Sequence, residues 1–145
     1  MQGKQTLPRA KAAGDLDTTF GIDGVATLSV PGFDLRNAYG VISMPGDDTI
    51  FVSVTHRYLH EGEPTMGAAV VKLRPDGSID DRFGINGLTP IELEGEAKAL
   101  QLHAWMDKIL VHVAIGKTTV ALARMHPDGS LDASDDMTIP RGEVS

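Results

Sequence analysis

Gly77-Ser-Ile-Asp-Asp-Arg-Phe-Gly-Ile-Asn-Gly-Leu88 is the stretch that decides how this chain folds, because its pattern recurs. Gly14-Asp-Leu-Asp-Thr-Thr-Phe-Gly-Ile-Asp-Gly-Val25 repeats it, and Gly129-Ser-Leu-Asp-Ala-Ser134 begins the same way before departing into Asp135-Asp-Met-Thr-Ile139. The residues ahead of the later copies also match. Ala69-Val-Val-Lys-Leu-Arg-Pro-Asp76 aligns with Ala121-Leu-Ala-Arg-Met-His-Pro-Asp128, and Asp48–Val54 aligns with Asp107–Val113. The separations are 63 residues from Gly14 to Gly77, 59 from Asp48 to Asp107 and 52 from Ala69 to Ala121. They place four extra residues of the first unit near Pro31–Asn37 and seven between Val54 and Ala69. Both lie among Gly, Pro and charged residues and read as loop insertions. Duplicated supersecondary units that differ in loop length give this pattern.

Each unit reads as short strands. Val25–Val30, Ala38–Met44, Thr49–His56 and Met66–Arg74 form one set of apolar or β-branched runs. Leu88–Leu93, Ala97–His103, Lys108–Ala114 and Thr118–Met125 form the second. Pro75-Asp-Gly-Ser78, Pro127-Asp-Gly-Ser130 and Pro45-Gly-Asp-Asp48 are turns: Pro presets φ, Asp bonds its own backbone, and Gly accepts positive φ. Glu92–Met106 has a helix-forming composition, but its counterpart around Ala38–Met44 is β-like. Repeat symmetry outweighs propensity there, and a strand is expected. The fold class is therefore all-β, with antiparallel sheets.

An apolar strand, then Pro-Asp-Gly-Ser-(Leu or Ile)-Asp, then Phe-Gly-x-x-Gly, resembles the bacterial delta-60 repeat family, over roughly Gly14 to Asp132. The resemblance implies about two β-propeller-blade-like repeats; a single-chain β-sandwich or barrel is the alternative. It implies a scaffold rather than a reaction. In such a motif Leu16, Ile79 and Leu131 should plug a small core beneath the turn, and Phe20 and Phe83 should be buried and equivalent. Gly21, Gly24, Gly84 and Gly87 permit backbone conformations closed to other residues. Asp17, Asp80 and Asp132 should accept hydrogen bonds from loop amides. Asp76 with Asp80, or Asp128 with Asp132, offer oxygens to calcium, but no calcium-loop spacing accompanies them.

Two blades fall short of the 4–8 of a closed propeller and leave apolar flanks. The ends look complementary: Thr118–Ser130 supplies the half of a unit up to the Pro-Asp-Gly-Ser turn, and Gly14–Val30 the half beyond it. A homo-oligomer in which the N-terminal segment of one chain completes the last blade of another is expected. The boundaries expected are an arm over 1–13, a repeat-built domain over 14–139 and a tail over 140–145. The 145 residues carry a net charge of −7, which disfavours sequence-independent binding to nucleic acid or anionic membranes. No apolar run approaches the length of a membrane-spanning helix. There is no cysteine, so disulfides and thiolate chemistry are excluded. No secretory leader is visible, which reads as cytoplasmic, or extracellular if the chain is a fragment or leaves by another route.

No Gly-x-Ser-x-Gly, phosphate loop or His-Glu-x-x-His is present, so no catalytic residue is assigned. A hydrolase in an acidic channel stays a minority reading. The one cluster with chemistry is His56-Arg-Tyr-Leu-His-Glu-Gly-Glu-Pro64, inside the seven-residue insertion. Function is often carried on loops held by a rigid scaffold. His56, Arg57, Tyr58 and His60 are the candidate ligand-binding residues: Tyr58 to stack on a sugar or base, Arg57 to grip an anion. His56 and His60 with Glu61 or Glu63 resemble a transition-metal set, but on a strand-to-loop segment a spacing of four does not guarantee one face. A solvated hairpin tip is the plainer reading, so no metal and no cofactor is assigned. The function expected is a non-enzymatic scaffold or interaction module that self-assembles, with an unidentified protein or small molecule as further partner. The alternative is a small-ligand or carbohydrate-binding protein using residues 55–63. Trp105 is expected in packing.

Overall fold

Alternating apolar runs punctuated by turns form eight strands in the computed structural model, which describes residues 13–93, 96–131 and 138–140. They are β1 (Asp34–Ser43), β2 (Ile50–His60), β3 (Glu63–Leu73), β4 (Leu88–Ile91), β5 (Ala97–Trp105), β6 (Lys108–Ile115), β7 (Thr119–Met125) and β8 (Thr138–Pro140). They make two four-stranded antiparallel sheets, β1-β2-β3-β4 and β5-β6-β7-β8, each running in chain order. The helix-like composition of Glu92–Met106 yields to tertiary context, and Ala97–Trp105 is a strand. The sheets approach most closely at β1 and β5. A Cβ on Gly40 would lie 3.1 Å from the Leu100 carbonyl oxygen. The buried Ser53 hydroxyl accepts the Gly40 N–H at 2.8 Å and donates to the Leu100 carbonyl at 3.0 Å.

The repeated motif is a pair of turns with a physical reason at each residue. Asp23-Gly24 and Asn86-Gly87 all have positive φ, and Ile22 with Val25, and Ile85 with Leu88, exchange both backbone hydrogen bonds. These are two-residue hairpins whose turns favour Asp-Gly and Asn-Gly. Asp17 accepts the Thr19 amide at 3.0 Å, and Asp80 accepts the Arg82 amide at 3.2 Å. Successive copies dock on one another. A Cβ on Gly77 would lie 3.1 Å from the Phe20 ring, and the Gly21 N–H donates to the Asp76 carbonyl. Likewise a Cβ on Gly129 would lie 3.2 Å from the Phe83 ring.

Two apolar clusters lie on the two faces of the first sheet. Phe51, Ala68, Val70 and Phe83 meet Ala99, Leu102, Ile109, Val111, Val113 and Met125 between the sheets. On the far face Val52, Val54, Ala69, Val71 and Leu88 are covered by the segment Ala26–Leu35. The inner strands β2 and β3 are thus buried on both sides over Phe51–His56 and Gly67–Val71, whereas β6 alternates, with Ile109, Val111 and Val113 buried and their neighbours half-exposed.

Lys72 joins the two units. Its ammonium sits 5.6 Å from the Phe51 ring centroid and 5.9 Å from that of Phe83, and donates to the Pro127 carbonyl at 3.4 Å. Its carboxylate neighbour is the buried Asp80, 3.8 Å away, which also faces Arg74 and Arg82. Burial pushes the Asp80 pKa up, but the Arg82 amide and the Lys72 and Arg82 cations outweigh it, and the group sits below its ordinary value. A carboxylate with a depressed folded pKa stabilises the fold above its unfolded value, near pH 4, and loses that contribution as pH falls through the folded one. Asp47, Asp76 and Asp128 are lowered too, by hydrogen bonds from Thr49, Ser78 and Ser130. Urea unfolding should therefore show stability falling below about pH 4. Asp80→Asn should be less stable at neutral pH and fall less steeply in acid; an unchanged acid slope would contradict this role.

Several expectations need correction. Val25–Val30 forms no strand; only Val25 bridges, to Ile22, and among the described residues no strand pairs with it as β3 pairs with β4. Phe83 is 2% exposed, but Phe20 is only half-buried, with no sheet beneath it among the described residues. Ile79 packs against the far cluster, whereas Leu16 and Leu131 are exposed. The insertion between Val54 and Ala69 is strand and not loop. Relative to the β6–β7 hairpin, each of β2 and β3 gains four residues and the connection shortens by one. The repeat pattern does not predict β8, which fills the edge of β7. Residues 1–12, Asp132 and the tail after Pro140 lie outside the described residues.

Candidate functional site

The lengthened β2–β3 hairpin carries the candidate residues beyond the end of β4, which pairs only with Ala68–Val71. A strand alternates its side chains between faces, so His56, Tyr58 and His60 share one face and Arg57 takes the other. His56 and Tyr58 are stacked, with centroids 5.4 Å apart and planes 27° apart, and Phe33 meets His56 edge-on at 5.6 Å. Opposite them in register stand Gly67 and Thr65. The ring ladder fits because Gly67 has no side chain: a Cβ there would lie 2.9 Å from His56 Nε2 and from Tyr58 Cε1.

These residues line a cleft of about 970 Å³. Ile85, Pro90, Ile91, Leu93 and Ala97 supply its apolar wall, and Glu61 and Glu92 stand at its exposed rim. His56 is 7% exposed, and burial holds its pKa below the ordinary imidazole range, so it is neutral at pH 7. Among the described residues its ring nitrogens have no hydrogen-bond partner. Thr65 lines the cleft and donates its hydroxyl to the Glu63 carbonyl at 3.1 Å.

The four candidates therefore divide. His56, Tyr58 and His60 come together in the cleft. Arg57 is 4.0 Å from Asp34, its cross-strand partner, and Asp34 also binds Arg36 at 2.8 Å. His60 is exposed, 3.8 Å from Glu61. Among the described residues no group of three His, Cys, Asp or Glu side chains is placed to share a metal ion. The Asp76 and Asp128 carboxylates are taken up by Ser78 and Ser130 of their own turns. Sequence reasoning missed Phe33, Gly67 and Glu92. A glycine inside a β-branched strand is a signal of close approach, and Gly67 carried it.

The outer face of the second sheet is half-exposed, most openly at His103 and Trp105. His103, Trp105, Leu110, His112, Leu122 and Arg124 lie there, with the Arg124 guanidinium 5.3 Å from the Trp105 ring centroid. His103 and His112 stand 4.9 Å apart. No helix among the described residues is long and apolar enough to cross a membrane.

A family profile described as "Domain of unknown function (DUF5122) beta-propeller" matches residues 107–134, which hold β6, β7 and the third motif copy. No curated protein and no solved structure matches the chain.

Proposed function

We propose that the chain is a non-enzymatic scaffold module that assembles with copies of itself, through the outer face of its second sheet. One observation carries this reading. Phe51, Ser53, Thr55, Ala68, Val70 and Lys72 form the face of the first sheet that receives the second. Their repeat counterparts Leu110, His112, Ala114, Val120 and Leu122 form the matching face of the second sheet and are half-exposed, with no further sheet among the described residues packed on them. The same sequence logic thus builds one occupied interface and one open one. At the opposite flank Leu16, Ile22 and Val25 are exposed, and Gly14 has the positive φ of Gly77 and Gly129 but no neighbour docked on it among the described residues. A head-to-tail contact between unlike faces closes into a ring when its rotation permits. At two sheets per chain, about three or four chains give the six or eight blades of a closed propeller. Since β8 fills the edge of β7, assembly proceeds by stacking faces and not by exchanging the N-terminal strand.

Light scattering of the full chain at micromolar concentration should give a mass about three or four times 15.4 kDa. Leu110→Asp combined with Leu122→Asp should return it to a monomer with an unchanged circular dichroism spectrum. A monomeric unmodified chain would overturn the reading.

A further inference from the structure

We infer that the cleft under the β2–β3 hairpin is a binding site for a neutral oligosaccharide, with Tyr58 as stacking platform and His56 as the hydrogen-bonding anchor. The inference is independent of assembly and stands or falls on this cleft alone.

The anchor is the decisive feature. His56 is more than nine-tenths buried, lines the cleft and has no hydrogen-bond partner among the described residues. The buried unmatched side-chain atoms among the described residues are Thr55 Oγ1 and Thr89 Oγ1, so the His56 ring nitrogens are reached from the cleft and are open to a ligand there. The neutral imidazole offers one donor and one acceptor. Gly67, which has no side chain, lets the His56 and Tyr58 rings pack against its backbone, and both rings line the cleft. A ligand hydroxyl, which both donates and accepts, matches whichever ring nitrogen it meets.

The rest of the lining selects the class. Phe33, Tyr58, Pro90 and Leu93 offer flat apolar surface suited to the C–H face of a sugar ring. The Tyr58 and Thr65 hydroxyls and the Glu61 and Glu92 carboxylates are acceptors for sugar hydroxyls. No Lys or Arg among the described residues lines the cleft, and its charged rim is acidic, so phosphorylated, sulfated and uronic-acid ligands are repelled. A volume of about 970 Å³ is at the upper end of small-molecule sites and takes more than one sugar ring.

A glycan array followed by isothermal titration of the unmodified chain tests this, using cellotriose, maltotriose and mannotriose and an oligogalacturonate of equal length as the anionic control. At least one neutral trisaccharide should bind and the oligogalacturonate should not. Tyr58→Ala should weaken binding about tenfold or more, and His56→Phe, which keeps the ring but loses its nitrogens, should do the same. Leu59→Ala, exposed on the opposite face of β2, should leave it unchanged. Because a substitution can perturb folding, the His56 ring-proton resonances of the unmodified chain are followed as well, and they should shift with added trisaccharide. Absence of any neutral binder at millimolar concentration, preference for the anionic control, or His56 resonances that stay still on binding would each overturn the inference.

Discussion

Phe83→Ala should destabilise the protein by about 3–5 kcal/mol, as removal of a fully buried aromatic does. Phe20→Ala, at the equivalent position of the first motif, should cost about 1 kcal/mol, because a half-buried ring gives up about half the burial. The difference is positional and not chemical. Phe83 packs edge-on against Phe51 at 5.5 Å, takes Lys72 over its face and receives Gly129 against its edge. Phe20 receives Gly77 but has no sheet beneath it among the described residues. In a domain of this size about 3–5 kcal/mol corresponds to a melting shift of roughly 10 °C or more. Equal losses at the two positions in urea titrations would mean that the motifs are packed alike, contrary to the structure.

The second large effect concerns two glycines with nearly the same backbone. Gly84 has φ +55° and Gly116 has φ +57°. A Cβ at Gly116 meets nothing within 4 Å, so Gly116→Ala carries only the left-handed conformational penalty, about 1–2 kcal/mol. At Gly84 the same atom falls on the Leu88 carbonyl oxygen and the Thr89 hydroxyl, both too close to tolerate it. Overpacking adds about 1–3 kcal/mol, and the hairpin through Asn86-Gly87 cannot relax without breaking its hydrogen bonds. Gly84→Ala should thus lose about 2–5 kcal/mol in all, well beyond Gly116→Ala. Thermal unfolding of the two variants side by side checks this, and equal melting temperatures would remove the steric account.

Most of the sheet architecture was legible in the repeat. The Asp48–Val54 and Asp107–Val113 alignment placed β2 and β6 in equivalent positions, and the β-like counterpart around Ala38–Met44 overruled the helical composition of Glu92–Met106. Equivalence of pattern did not carry equivalence of environment. Val25–Val30 has the sequence of β4 but no neighbouring strand among the described residues, and a strand needs a partner for its hydrogen bonds. Leu16 copies Ile79 without the bridge that Leu73 gives Ile79. The candidate site was half legible. His56, Tyr58 and His60 stood out as residue types, but their common face depends on the insertion being strand. Phe33 reaches the cleft from 23 residues upstream, a proximity that local pattern cannot reveal.

The lengthened hairpin shows how such a repeat unit is able to vary. Because faces alternate at every residue, a strand grows without inverting its inside and outside only in even steps. The four residues added to each of β2 and β3 amount to two full pleats, so Val52 and Val54 keep the facing that Val111 and Val113 have in the shorter unit. Growth of this kind adds new wall above an undisturbed core. The depth of the cleft is therefore a graded property, adjustable two residues per strand at a time, while a single-residue insertion would turn Tyr58 away from its ring partner and carry Arg57's charge inward instead.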